Sequence, residues 1–212
     1  MAHPLQCRCG ALRGELAEPQ LANHVICYCK DCQAFAHALG RPGEVLDAQG
    51  GSEVIQTLPA YVTFSQGAER LACLRLSEKG LLRWYAACCD TPIGNTLDRP
   101  QLSFVGLVHS CLHAPAAPLG SDIPPLGTAV FTATARGEPK PKSYGMGRSM
   151  RWMLAAILKA RLGGLWRKTP FFDVRSGRPI ADPRVLSAED RARVYAEVEA
   201  AQAGPTAQPQ AA

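Results

Sequence analysis

The run Cys27-Tyr28-Cys29-Lys30-Asp31-Cys32 decides how this chain is read. Three thiols fall within six residues, and the stem His24-Val25-Ile26 leading into them reads as a strand. A C-x-C-x-x-C run folds back tightly enough for its sulfurs to converge on one metal ion. Three thiolates at about 2.3 Å from zinc would leave a fourth tetrahedral position open, as catalytic zinc sites do. Upstream lies a second thiol pair, Cys7-Arg8-Cys9-Gly10, and downstream a third, Cys88-Cys89. Gly10 follows Cys9 where a tight turn around a metal calls for a positive φ. The pattern is that of a zinc-built domain with a thiol-handling site.

The 212 residues suffice for one sizeable domain, or a domain with an appended piece. No stretch approaches the roughly 18 consecutive apolar residues of a spanning helix. Met1-Ala2-His3-Pro4-Leu5 has no apolar signal core, so a cytoplasmic protein with reduced thiols is expected. Nine cysteines, an odd count grouped as C-x-C and C-x-x-C, suit metal ligation better than a disulfide framework. A redox dithiol at Cys29-Lys30-Asp31-Cys32 is the alternative, opposed by the extra Cys27 and the β pattern that follows. Cys73 and Cys111 lie in apolar runs and read as small buried hydrophobes.

Outward from the central run, Ala11-Leu12-Arg13-Gly14-Glu15-Leu16 alternates like a half-buried strand. Residues 33–40 are Ala-rich and predict one or two helical turns, stopped by Gly40 and Pro42. Short strand-like runs follow at 53–57, 60–64, 71–76, 81–85 and 102–108, punctuated by Pro59, Gly67 and Gly80. Such spacing predicts a mainly β fold of small antiparallel sheets over residues 1–112. Residues 113–147 read as a Pro/Gly-rich connection in which Val130-Phe131-Thr132-Ala133-Thr134 could form a stray strand. From Arg148 the apolar period turns helical, and Gly163-Gly164 interrupts or ends that helix. A second helix is expected from Ser187, where Ser-Ala-Glu-Asp resembles a capping box, to Glu199. The chain thus divides into a β domain, the connection, a helical extension over 148–201 and a disordered tail over 202–212.

The formal charge of +5 is unevenly spread. Between Pro139 and Phe172 there is no acidic residue, while Lys140, Lys142, Arg148, Arg151, Lys159, Arg161, Arg167 and Lys168 all fall there. Residues 148–168 could therefore meet anionic lipid or an acidic protein. Alternatively, Met150, Leu154, Ile157 and Leu158 pack on the β domain while the cations face water. No aromatic-plus-basic nucleic-acid motif is present, and nucleic-acid binding is not expected.

The order of thiol motifs resembles the glutathione-dependent formaldehyde-activating family, the CENP-V/GFA domain. The likeness spans about residues 5–110 and rests on Cys7-Arg8-Cys9-Gly10, the central run, and Cys89-Asp90-Thr91-Pro92-Ile93-Gly94-Asn95. The last corresponds to the family's F-C-x-x-C-G-T-x-L element. The resemblance implies a β-tent held by two zinc ions, one structural at C-x-C plus C-x-x-C, one catalytic at C-x-C-x-x-C. It also implies carbon–sulfur lyase chemistry, the addition of formaldehyde to glutathione to give S-(hydroxymethyl)glutathione. This chain departs where Ala86 stands for the first Cys of C-x-x-C, and Asp90 for the usual Gly. Cys7, Cys9 and Cys89 then lack a fourth ligand. Cys88 is the nearest substitute, although neighbours on one strand point to opposite faces; Asp90 could supply an oxygen, or the site holds no metal.

On this resemblance glutathione is the co-substrate, its sulfur at the open position of Cys27, Cys29 and Cys32. His37 or Asp31 would donate a proton to the nascent alkoxide, and Arg41 or Arg83 would hold the glutathione carboxylates. Each has a plainer reading as a packing or solvated side chain. The rival function is a non-catalytic zinc-stabilised carrier or scaffold that docks through its basic helix.

Overall fold

Leu5, Leu12 and Leu16 turn one side of the N-terminal strands into an apolar face, and that face sets the architecture. The structure, a computed structural model describing residues 2–112 and 119–203, is mainly β, with two sheets and C-terminal helices. The smaller sheet is antiparallel, in the order β1 (His3–Gln6), β2 (Arg13–Leu16), β5 (Val62–Gln66). The larger comprises β3 (Asn23–Cys27), β4 (Ser52–Thr57), β6 (Leu71–Arg75), β7 (Leu82–Ala86), β8 (Thr91–Thr96), β9 (Val105–Val108), β10 (Thr128–Val130) and β11 (Arg184–Val185). Its eight strands run in the order β10-β3-β4-β9-β8-β7-β6-β11. The six inner strands are antiparallel, whereas both edges, β10 on β3 and β11 on β6, pair in parallel.

Strand β8 is absent from the sequence expectation because Thr-Pro-Ile-Gly-Asn-Thr has poor strand propensity. It is nonetheless wholly buried. Pro92, which has no N–H to give, is tolerated because β9 reaches only Gly94–Thr96, leaving that end of β8 with one neighbour. A bulge between Trp84 and Tyr85 absorbs the register change.

Between the sheets, Trp84 is fully buried, and its indole N–H donates to Thr96 Oγ1 at 2.9 Å. Phe171 lies 5.2 Å from Trp84 and edge-on to Phe64 at 5.9 Å. The stretch after the basic helix thus returns to fill the central core. Among the described residues four α-helices complete the fold: α1 (Lys30–Ala38), α2 (Pro42–Val45), α3 (Met146–Leu162) and α4 (Ala188–Ala203). The expected cap of α4 is present, with Ser187 Oγ accepting the Asp190 N–H at 3.0 Å. Val194 and Val198 of α4 pack with Phe35 of α1 and Leu74 of β6.

Helix α3 does not pack as its apolar stripe suggests. Ser149 and Ala160 are its buried residues, with Trp152, Met153, Ala156 and, as expected, Ile157 half-buried beside them. Met150, Leu154 and Leu158 instead face outward, 45%, 59% and 58% exposed. A polar triangle fixes this rotation: Asn23 Nδ2 donates to Ser149 Oγ at 2.9 Å, and Ser149 Oγ to Gln56 Oε1 at 3.2 Å. Residues 113–118 of the connection and 204–212 of the tail lie outside the described residues.

Candidate metal centres

Strand β3 ends on Cys27, and α1 begins two residues later with Cys29 as its N-cap. The extended backbone of Cys29 (φ −62°, ψ 148°) lets its sulfur accept the Cys32 N–H at 3.4 Å. Cys32 Sγ stands 3.7 Å from Cys27 Sγ, and all three sulfurs lie within 4.8 Å of one another. Sulfurs bound tetrahedrally at about 2.3 Å from zinc would be about 3.8 Å apart, so the spacing fits. Among the described residues no fourth His, Cys, Asp or Glu joins this group. The loop is clamped through Tyr28, whose N–H donates to Val130 O at 3.1 Å and whose carbonyl accepts from Gln33 and Thr134.

The second centre gathers Cys7, Cys9, Cys88 and Cys89 from opposite ends of the β fold. Cys88 Sγ lies 3.7 Å from Cys7, 3.4 Å from Cys9 and 3.8 Å from Cys89, and Cys7 and Cys9 are 3.5 Å apart. These are close to the edges of a four-sulfur tetrahedron. The expectation that Cys88 and Cys89 point to opposite faces fails because neither is on a strand. Strand β7 ends at Ala86, and residues 87–90 form a turn closed by Cys89 N–H to Ala86 O at 3.2 Å. Asp90 adopts φ 53°, a left-handed conformation that Asp accepts more readily than most non-glycine residues. Gly10, at φ 72°, makes the matching turn under Cys9. Ala86 itself is sealed in the core, and Asp90 does not belong to the cluster.

Cys32 is held well below the usual thiol range by hydrogen bonds from Cys27 and Cys29, aided by the Arg83 guanidinium. Cys27 is raised in turn by its hydrogen bonds with Cys29 and Cys32, then by burial and the charge on its neighbours. In the other centre burial opposes a charge on Cys89. The Thr91 hydroxyl, the Cys9 backbone and the neighbouring thiols outweigh it and draw Cys89 down to about 6. Cys73, alone in the core, is pushed up to about 12 by burial and takes no part.

The remaining predicted residues separate between the two centres. Arg83 is 3% exposed and stands beside the triad. It donates to Asn95 Oδ1 at 3.1 Å, pairs with Asp31 at 3.7 Å and lies over the Phe35 ring. Asp31 also accepts from Tyr195 Oη of α4 at 2.5 Å, which sequence reasoning missed because no local pattern marks Tyr195. Arg41 instead joins the four-thiol centre, donating to the Cys89 carbonyl at 3.0 Å and to Glu44. His37 has both nitrogens engaged: Arg136 donates to Nε2 at 3.3 Å, so Nδ1 carries the proton toward Glu197 at 3.1 Å. It links α1, α4 and the segment after β10.

Fold and site together define a mainly β protein with two cysteine clusters that could hold metal. The chain belongs to the DUF6151 family, a family of unknown function, whose model matches residues 1–183. That stretch includes both clusters and α3 but stops short of Tyr195. Comparison with curated proteins gives no match. Among solved structures, a crystal structure of a Rhodobacter sphaeroides protein is 16% identical, covering 52% of this chain and 87% of its own, with a TM-score of 0.36. A likeness that distant carries no conclusion. Among the described residues, no helix is long and apolar enough to cross a membrane.

Proposed function

We propose that this protein is a zinc-dependent, thiol-handling enzyme of the carbon–sulfur lyase type, joining glutathione or another small thiol to formaldehyde or another small aldehyde. One observation carries the reading: the two thiol groups are unequal. The four-thiol group is a complete donor set, as structural zinc sites have, whereas the triad supplies three sulfurs and leaves a position for an outside ligand. When bound at Cys27, Cys29 and Cys32, zinc supplies the Lewis acidity that keeps an incoming thiol ionised at neutral pH.

The chain's own groups suit the rest of the reaction. Arg83 is sealed by Asn95, Asp31 and Phe35, so it favours the Cys32 thiolate and orients Asp31 rather than gripping a substrate carboxylate. The substrate sulfur forms its bond to the aldehyde carbon, the carbonyl π pair moves onto oxygen, and that oxygen needs a proton. We assign its delivery to Asp31 and Tyr195, which share a hydrogen bond, Asp31 also pairing with Arg83. Burial and the Asp31 carboxylate push Tyr195 up to about 12, so its hydroxyl hydrogen stays in the bond to Asp31. His37, with both nitrogens occupied, is left with a packing role.

The test is zinc content and formaldehyde consumption in wild type and Cys29→Ser. The expected result is loss of one zinc per chain and of all glutathione-dependent turnover. Unchanged zinc, or consumption indifferent to glutathione, would refute the enzyme reading.

A further inference from the structure

We infer that α3 is a docking surface for an anionic lipid bilayer. Its outer side carries Met146, Met150, Leu154, Leu158 and Leu162, spaced four residues apart and 41%, 45%, 59%, 58% and 79% exposed. A 17-residue helix is about 25 Å long, so this is a continuous apolar ridge rather than a scatter of surface leucines. Two notches open on its flanks. One, of about 230 Å³, is lined by Leu21, Tyr61, Trp152 and Lys159; the other, of about 310 Å³, by Arg99, Leu102, Ile157 and Arg161.

Charge decides the occupant. Among the described residues, Arg148, Arg151, Lys159, Arg161, Arg167 and Lys168 enter no ion pair. Helix α4 behaves oppositely: Arg193 pairs with both Asp190 and Glu197. Two copies meeting through α3 would bring these uncompensated cations together, which opposes self-association. A bilayer with anionic headgroups offers what the surface lacks, acyl chains for the ridge and phosphates for the cations on either side. Arg99 and Arg161 both line the second notch and offer two arms to one phosphate, Arg99 being held by Asp98 at 3.4 Å.

The test is co-sedimentation of the full chain with phosphatidylcholine vesicles, with and without phosphatidylglycerol. Binding should require the anionic lipid and weaken as salt rises. Arg151→Ala and Arg161→Ala should each weaken partitioning about fivefold. The double variant Leu154→Glu, Leu158→Glu should abolish binding while circular dichroism and zinc content stay unchanged, since both positions are exposed. Failure of the wild type to bind anionic vesicles, or equal binding by the double variant, would overturn the inference. So would a concentration-dependent dimer, seen by ultracentrifugation without vesicle binding and lost in the double variant, because it would assign the ridge to a second copy.

Discussion

Substituting Cys88 by serine tests the four-thiol centre at the vertex that touches every other. Cys88 Sγ is within 3.8 Å of Cys7, Cys9 and Cys89, so its loss leaves three thiols and an open edge. A hydroxyl is a poor replacement for a thiolate toward zinc. Suppose the wild type binds zinc with free metal at about 1,000 times its dissociation constant; the bound metal then adds about 4 kcal/mol to stability. For a chain of this size each kcal/mol moves the melting midpoint by about 2–4 °C, so the variant should melt about 8–16 °C lower. The assay is thermal melting by circular dichroism, with zinc content measured on the same samples. A chelator should bring the wild type down toward the variant and shift the variant less. Cys111→Ala is the control: that buried thiol belongs to neither cluster, so its removal opens a small cavity and leaves zinc content unchanged. If Cys88→Ser keeps full zinc content and melts with the wild type, the four-sulfur geometry is mere packing and the reasoning fails.

Two further outcomes follow from contacts made at a distance. Tyr195→Phe removes the hydroxyl that donates to Asp31; zinc content should be unchanged while glutathione-dependent turnover falls about a hundredfold, and undiminished turnover would exclude Tyr195 from proton delivery. Burial works against the Asp122 carboxylate, but its hydrogen bond from His3 outweighs that and depresses its pKa. A depressed acid stabilises the fold above the unfolded carboxylate pKa of about 3.9 and loses that contribution as pH falls through the folded value. The melting difference between wild type and Asp122→Asn should therefore be present at neutral pH and shrink in acid; a difference constant with pH would refute the linkage.

What the sequence discloses, and what it hides, divides by how far apart in the chain the cooperating residues lie. The triad is legible because a strand end, one extended residue and a helix start bring its sulfurs together within one short run. The mainly β character is legible for the same reason, since most of the strands announce themselves locally. Strand β8 escapes because burial between two neighbours, not propensity, makes Thr91–Thr96 a strand. Tyr195 escapes because its position beside Asp31 depends on α4 packing against α1, through Val194, Val198 and Phe35. The outward stripe of α3 misleads because a polar triangle at Ser149, not the distribution of leucines, sets the helix rotation.

Cys88 is the most instructive case. Counting residues from the motif of the formaldehyde-activating family that the sequence resembles places the missing ligand at Ala86, and alternation along a strand argues against Cys88. Both inferences assume that β7 continues. It stops at Ala86 and the chain turns over residues 87–90, so Cys88 and Cys89 both join Cys7 and Cys9. The turn lets two adjacent residues fill two corners of one tetrahedron. Where ligands sit on a turn, the path of the backbone rather than residue spacing decides whether a donor set is complete.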